Sequence, residues 1–335
     1  MYPRGSLRQA FMAALVLVAL TSAVHVRADE PYPSRPIQLI VPWGVGGGSD
    51  QLARIVAKLL ERELKVSVPV VNAPGATGNA GITKLIDDSP DGYSIAVFAS
   101  DTFYDNLIKD AEGHGARWKF TDITPLAIMN QQPLAFFVAG DSKFKSWQDI
   151  ESAARASTGE AVKVATDGFD GAEDTLVKQF IDAGLKLTEV PYAKPGERYS
   201  AVLGGHVDVM CDPTGNARAY VASGQMRPVL IFDTKRFPGA MFGNVPTSIE
   251  SGYDLAIGES RAIIVRRGTD PKRVKLLSAA LSRVYRTEEF QAYLRDSLSI
   301  PDSFVSMENA SKFYATKRAA YLKLLQKMKA NKGGS

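Results

Sequence analysis

The stretch Ile37-Gln38-Leu39-Ile40-Val41-Pro42-Trp43-Gly44-Val45-Gly46-Gly47-Gly48-Ser49-Asp50 decides how this chain is read. Its first five residues form an apolar run. Beyond Asp50, the apolar residues Leu52, Ile55, Val56, Leu59 and Leu60 recur at helical spacing. The order is therefore strand, glycine loop, helix. Consecutive glycines let the backbone approach a bound group closely, and the first N–H groups of the following helix have no partner within it. Such a loop receives anions.

The same arrangement recurs along the chain. Val66 to Val71 is a second strand-like run, ending in Asn72-Ala73-Pro74-Gly75-Ala76-Thr77-Gly78-Asn79, with a helix through Ile82, Leu85 and Ile86 behind it. Tyr93 to Phe98 is a third, with the polar exit Ala99-Ser100-Asp101-Thr102. Alternating strands and helices predict a mostly parallel α/β sheet, which binds ligands beyond the carboxyl ends of its strands. After Pro125 the alternation starts again. Leu134 to Val138 and Ala161 to Ala165 are strands, Ser146-Trp147-Gln148-Asp149 starts a helix, and Thr166-Asp167-Gly168-Phe169-Asp170-Gly171 is another glycine-bearing exit. Further strands run through Val207 to Met210, Pro228 to Phe232 and Arg261 to Val265, and helices fill the C-terminus. Facing loops from two such sheets predict a cleft, with Trp43 and Phe169 either anchoring the core or serving as the cleft walls.

Arg4 and Arg8 precede an apolar run from Ala10 to Leu20, and Val26-Arg27-Ala28 suits a signal peptidase. Residues 1–28 are thus expected to be a cleavable signal peptide, directing the protein to the periplasm. The run is too short for a stable anchor. Its removal takes away Arg4, Arg8 and Arg27 and no acid, so the formal charge falls from +4 to +1 and gives no nucleic-acid signal. The single cysteine, Cys211, forms no internal disulfide and reads as a small buried residue. About 300 mature residues allow two globular domains.

Gly46, Gly47 and Gly48 match neither the dinucleotide fingerprint, which needs separated glycines and a distant acid, nor the phosphate loop, which needs a following lysine. His114 and His206 lie in connectors without metal-ligand spacing. No Gly-x-Ser-x-Gly elbow precedes a helix, so no nucleophile-base pairing is legible. These residues leave phosphate, nucleotide and carboxylate open as the anion, with nucleotide the weakest.

In the order of its short motifs, the chain resembles the substrate-binding receptors of tripartite tricarboxylate transporters, the Bug-type receptors. The likeness rests on Tyr32-Pro33-Ser34-Arg35-Pro36-Ile37, Val41-Pro42 with Gly46 to Asp50, Asn72 with Pro74 to Asn79, and Pro90-Asp91-Gly92-Tyr93. It continues through Phe120 to Pro125, Val190-Pro191-Tyr192, Gly204 to Asp208 and Val245-Pro246-Thr247. The resemblance implies a type II periplasmic-binding-protein (Venus flytrap) fold of two α/β domains joined by hinge strands. The expected domains are 29–130 plus 232–335, and 131–231, with hinges near 124–134 and 226–233. It implies a receptor, not an enzyme, that captures a small organic carboxylate without a cofactor or metal and delivers it to membrane permease subunits. A monomer without nucleic acid is expected.

Carried onto this chain, the family's ligand loops are Gly46, Gly47, Gly48, Ser49 and Asp50; Gly75, Ala76, Thr77, Gly78 and Asn79; and Ser100, Asp101 and Thr102. The opposing side would supply Thr166, Gly168, Phe169, Asp170, Gly171 and Asp212. Arg261 matches a Trp-Arg pair of some relatives, with Ser260 replacing the aromatic. Two departures bear on the ligand. Where relatives carry serines and a histidine, this chain has Asp170-Gly171-Ala172-Glu173-Asp174, and Tyr192-Ala193-Lys194-Pro195-Gly196 replaces a Tyr-Lys-Gly run. Added acid there disfavours a second carboxylate and suits an amine, a hydroxyl or water. The readings from other classes are an enzyme acting on a small carboxylate or phosphate, and a ligand-sensing subunit.

Overall fold

The first strand, β1 (Gln38–Val41), pairs in parallel with β2 (Val70–Asn72) on one side and β3 (Ser94–Ala99) on the other. The computed structural model describes residues 31–113, 117–156, 158–169, 171–237, 241–300 and 302–332. The expected signal peptide, His114 and Asp170 lie outside these residues. From Arg35 onward the chain forms one compact unit.

Helices follow the first three strands. α1 (Gly48–Leu64) buries Leu52, Val56, Leu59 and Leu60 and ends where Lys65 turns left-handed. α2 (Asn79–Asp87) buries Ile82 and Leu85, and α3 (Ser100–Glu112) carries the buried Phe103, Tyr104 and Leu107. β2 is shorter than the run Val66 to Val71, because Pro69 has no N–H to donate; its carbonyl still accepts from Leu39 N.

The sheet is mixed rather than mostly parallel. β4 (Ile123–Ala139) and β9 (Gly258–Arg266) are antiparallel to each other, and β9 runs antiparallel to β3. β4 is long enough to serve both ends of the sheet. Up to Pro133 it pairs with β9, and from Leu134 it pairs with β7 (Val209–Pro213) and β8 (Met226–Phe232), again antiparallel. Beyond β7 the parallel pattern returns, with β5 (Val162–Thr166) between β7 and β6 (Leu187–Pro191). The resulting order is β2-β1-β3-β9-β4-β7-β5-β6, with β8 and β10 (Val305–Ser306) also pairing with β4. Strands that carry the chain from one half to the other and back run in opposite senses, which parallel crossovers alone do not provide.

The second half repeats the helix pattern. Ser146 accepts from Asp149 N and so caps α4 (Trp147–Arg155), as the sequence leads one to expect. α5 (Ala172–Asp182) follows β5, α6 (Pro195–Leu203) follows β6, and α7 (Arg218–Ala222) follows β7. α8 (Pro271–Tyr285), α9 (Glu288–Asp296) and α10 (Met307–Lys332) complete the chain.

Aromatic clusters anchor the core in both halves. Phe98 packs against Phe103, Trp118, Phe120 and Tyr314, while Phe136, Trp147, Phe180 and Phe232 interlock in the other half. Each such side chain, fully buried, contributes roughly 1.5–3 kcal/mol. Cys211 is buried in the middle of β7, and His206 is exposed. Among the described residues no helix is long and apolar enough to cross a membrane.

Candidate functional site

The loop after β1 is shaped by one carboxylate. Gly46 takes φ +85°, and its N–H donates to Asp50 Oδ2 at 2.9 Å. Arg54 holds both Asp50 oxygens at 2.9 and 3.0 Å, and Asn72 Nδ2 donates to Oδ1 at 3.0 Å. Burial works to raise the Asp50 pKa, but the hydrogen bonds from Arg54, Gly46 and Asn72 prevail and hold it below the usual carboxylate range. Asp50 is thus spent on the loop itself. Gly47 then caps α1, and Gly47, Gly48 and Ser49 turn toward a cavity walled on the same side by Trp43. Gly48 has a steric reason to lack a side chain: a Cβ there would collide with Asn216 Oδ1 and stand 2.7 Å from Arg261 Nη2.

The second and third loops support this wall. Ala76 and Thr77 both sit at φ 50°, an uncommon setting that is a genuine outlier for a β-branched residue. Thr77 Oγ1 donates to Phe169 O at 3.2 Å, reaching across to the loop after β5. Gly75 closes the turn with Gly78, a Cβ on Gly78 would collide with Thr102 Oγ1, and Asn79 binds Ala76 O and Asp105. Ser100 Oγ lies 2.7 Å from Ser260 Oγ, tying β3 to β9. These residues brace the cavity; only Ala99 and Asp101 of the third loop line it.

On the opposite side the loop after β5 brings Asp167 to the cavity. Asp167 N donates to Glu173 Oε2 at 2.8 Å, and Ala172 N donates to Asp101 Oδ1 at 2.9 Å. Thr166 turns instead to Glu189 Oε1 at 2.5 Å, Phe169 is 54% exposed, Gly168 abuts Thr77, and Gly171 abuts Asp101. Arg198, buried on α6, donates to Asp212 Oδ1 at 2.8 Å and Glu173 Oε2 at 3.3 Å. Tyr199 and Asn216 also donate to Asp212. Burial works to lower the Arg198 pKa, but Asp212 and Glu173 more than reverse it, so the guanidinium stays charged.

Arg261 on β9 donates to Gln132 Oε1 at 2.6 Å and to Ser49 Oγ at 3.3 Å, with Glu259 Oε1 3.9 Å from its Nε. Glu259 Oε1 also accepts from Ser100 N at 3.1 Å. Burial raises Asp167, Glu173 and Glu259 well above ordinary carboxyl values; charge from Asp101 pushes Asp167 and Glu259 further, as Asp167 does for Glu173. The cavity measures about 40 Å³, room for a few water molecules.

Of the residues singled out from the sequence, Trp43, Gly47, Gly48, Ser49, Asp101, Asp212 and Arg261 converge on this cavity. Gly46, Asp50, Ser100, Thr102, Thr166, Gly168, Phe169, Gly171 and the loop from Gly75 to Asn79 stand behind it or beside it. Glu173, read from the sequence only as added acid, lines it as well, and so do Arg198, Asn216 and Glu259, which were not singled out. Glu259 carries a legible signal, since it alternates with Arg261 at the head of an otherwise apolar strand. Arg198 carries none: in an amphipathic helix an arginine reads as solvated.

The model of the tripartite tricarboxylate transporter family receptor, TctC, matches residues 52–329. Protein BugT of Bordetella pertussis is 28% identical over 269 residues, 79% of this chain and 81% of BugT. A UPF0065 protein of Bordetella bronchiseptica is 27% identical over 286 residues, 83% and 81% of the two chains. Among solved structures, a TctC solute-binding protein from Polaromonas is 28% identical with a TM-score of 0.62, covering 88% of this chain and 99% of its own. MatC from Rhodopseudomonas palustris, solved with bound malate, shares the fold at 22% identity and a TM-score of 0.78, covering 88% and 99%. The periplasmic binding protein BugD does so at 24% and 0.78, covering 89% and 98%. The Polaromonas protein is a solute-binding protein and BugD a periplasmic binding protein, and the fold shared with them is the two-domain periplasmic-binding type. By the extent of that match, the chain belongs to the receptor family of the tripartite tricarboxylate transporters.

Proposed function

We propose that this chain captures a small carboxylate-bearing solute in the periplasm and delivers it to the membrane permease of a tripartite transporter. The observation that carries the reading is the meeting of the α1 N-terminus, at Gly47, Gly48 and Ser49, with the Arg261 guanidinium on one wall of the cavity. A helix N-terminus attracts negative charge, and an arginine beside it supplies planar donors for a carboxylate. MatC, of the same fold and solved with bound malate, supplies the precedent for an acid.

In this reading residues 29–130 plus 232–335 form one domain and 131–231 the other, with β4 as the hinge where its partners change. Solute touches both sides only when they are closed, so binding favours closure. The permease reads the closed surface, and residues 1–28 direct export. The test is a thermal-shift screen of the purified protein against mono-, di- and tricarboxylates and amino acids, confirmed by calorimetry. Binding to the folded state raises the melting temperature with saturation. A panel in which only sugars or nucleotides shift the melting point sinks the carboxylate reading.

A further inference from the structure

The charges around the cavity do not balance. Among the described residues that line it, Asp101, Asp167, Glu173, Asp212 and Glu259 face only Arg198 and Arg261. Arg198 gives its two terminal nitrogens to Glu173 and Asp212, while its Nε, like Trp43 Nε1, is buried without a partner. Arg261 directs its shortest bond to the neutral Gln132 and stays 3.9 Å from Glu259. That leaves Asp101, Asp167 and Glu259 in excess. Glu259 is 2% exposed, and its Oε2 has no hydrogen-bond partner; Asp167 Oδ1 is likewise buried without one. A buried acceptor left unpaired is costly, and more so when charged.

A donor that carries positive charge would satisfy these acceptors. Among the described residues, no three His, Cys, Asp or Glu side chains converge to hold a metal ion. Glu259 and Asp101 are near enough to share a hydrogen bond, which two carboxylates form only around a proton. An ammonium does the same work with three donors and a permanent charge. A second carboxylate is less well served: the N-terminus of α5, the natural anion receptor on that side, is already taken by Asp101 through Ala172 N.

Resting on the reading of a carboxylate-binding receptor, we propose that the solute carries one carboxylate and one cationic nitrogen, the nitrogen lodging among Glu259, Asp101 and Asp167, and that dicarboxylates are rejected. The carboxylate lies against the α1 N-terminus and Arg261. The ligand class is thus an amino- or guanidino-monocarboxylate.

The experiment is calorimetry on the purified full chain with two isosteric series. The first is succinate, 4-aminobutyrate, butyrate and 1,4-diaminobutane; the second is adipate, 6-aminohexanoate, hexanoate and 1,6-diaminohexane. In at least one series the amino acid is expected to bind about tenfold or more tighter than the diacid of equal length. Glu259→Gln is expected to remove about tenfold of that affinity while changing monocarboxylate binding far less. Asp167→Asn, in a half-buried loop, repeats the test should the first variant fold poorly. A diacid that binds as tightly as its amino counterpart, or affinity unchanged in both variants, overturns the proposal while leaving the carboxylate receptor standing. Binding of the diamine alone, with every carboxylate inert, upholds the cation subsite and overturns the carboxylate reading. Calcium binding in place of the amines overturns the proposal, and no binding by any probe overturns both.

Discussion

The backbone N–H of Ala172 donates to Asp101 Oδ1 at 2.9 Å, so the first residue of α5 is held by a carboxylate from the first turn of α3. The same Asp101 raises the pKa of Asp167 and Glu259 after burial has already done so. Carboxyls raised in this way bind protons more tightly folded than unfolded, so their contribution to stability is lost as pH rises through and above the ordinary carboxyl range. Asp101→Asn keeps an oxygen for Ala172 N and removes the charge. Urea melts from pH 5 to pH 8 are expected to show a smaller loss of stability in this variant than in the parent. An equal or steeper loss would remove Asp101 as a cause.

Gly48 and Gly47 are neighbours with different surroundings. A Cβ at 48 pushes on Asn216 and Arg261, whereas one at 47 meets only Pro195 Cγ, at 3.1 Å, and the Gly44 carbonyl. Gly48→Ala is expected to weaken solute binding by about tenfold or more. It should also cost about 1–3 kcal/mol of stability, since the added methyl crowds the buried Arg261. Gly47→Ala is expected to bind nearly as the parent does, and equal losses in calorimetry would count against the Arg261 wall.

Glu189 and Asp174 form a carboxyl pair outside the cavity. Burial, then the hydrogen bond and charge of Asp174, push Glu189 up to about 8 from 4.5, with Thr166 working against them. Between these values the folded state holds a proton that the unfolded state has released, so stability falls as pH rises from 4.5 to about 8. Glu189→Gln is expected to flatten this part of the stability profile. A profile with the parent's slope would show that the proton resides elsewhere.

Three tryptophans report on different places. Trp118 and Trp147 are fully buried in the two aromatic clusters, while Trp43 is half-buried at the cavity wall. A solute-induced change in tryptophan fluorescence is therefore expected to vanish in Trp43→Phe and survive Trp118→Phe. The reverse result would place the bound solute away from the β1 loop.

The sequence shows the strand-loop-helix units plainly because each rests on local physics: apolar spacing through Leu52, Val56 and Leu60, a turn that glycine permits at Gly46, a cap at Ser146. What it hides is how units far apart share one wall. Glu259 comes to Ser100, 159 residues away, through the pairing of β9 with β3, and Arg198 reaches Glu173 and Asp212 through two successive βα units. Asp50 shows the converse. It looks like a ligand group in the glycine loop, yet Arg54, four residues on, and Asn72 claim it. Short-range pattern shows which residues stand near strand ends, and long-range register decides which of them remain available.

The volume of about 40 Å³ also has a kinetic meaning. A benzene-sized guest needs a cavity of roughly 150 Å³, so in the proposed reading a solute of several carbons is accommodated only when the loops that carry Gly47 and Asp167 to the cavity move apart. Capture then has a clock of its own. In stopped-flow mixing, the rate of the Trp43 signal is expected to climb with solute concentration at first and then level off at the frequency with which the loops separate. Scarcity of the solute would govern uptake at low concentration; above the plateau, the protein's own breathing would.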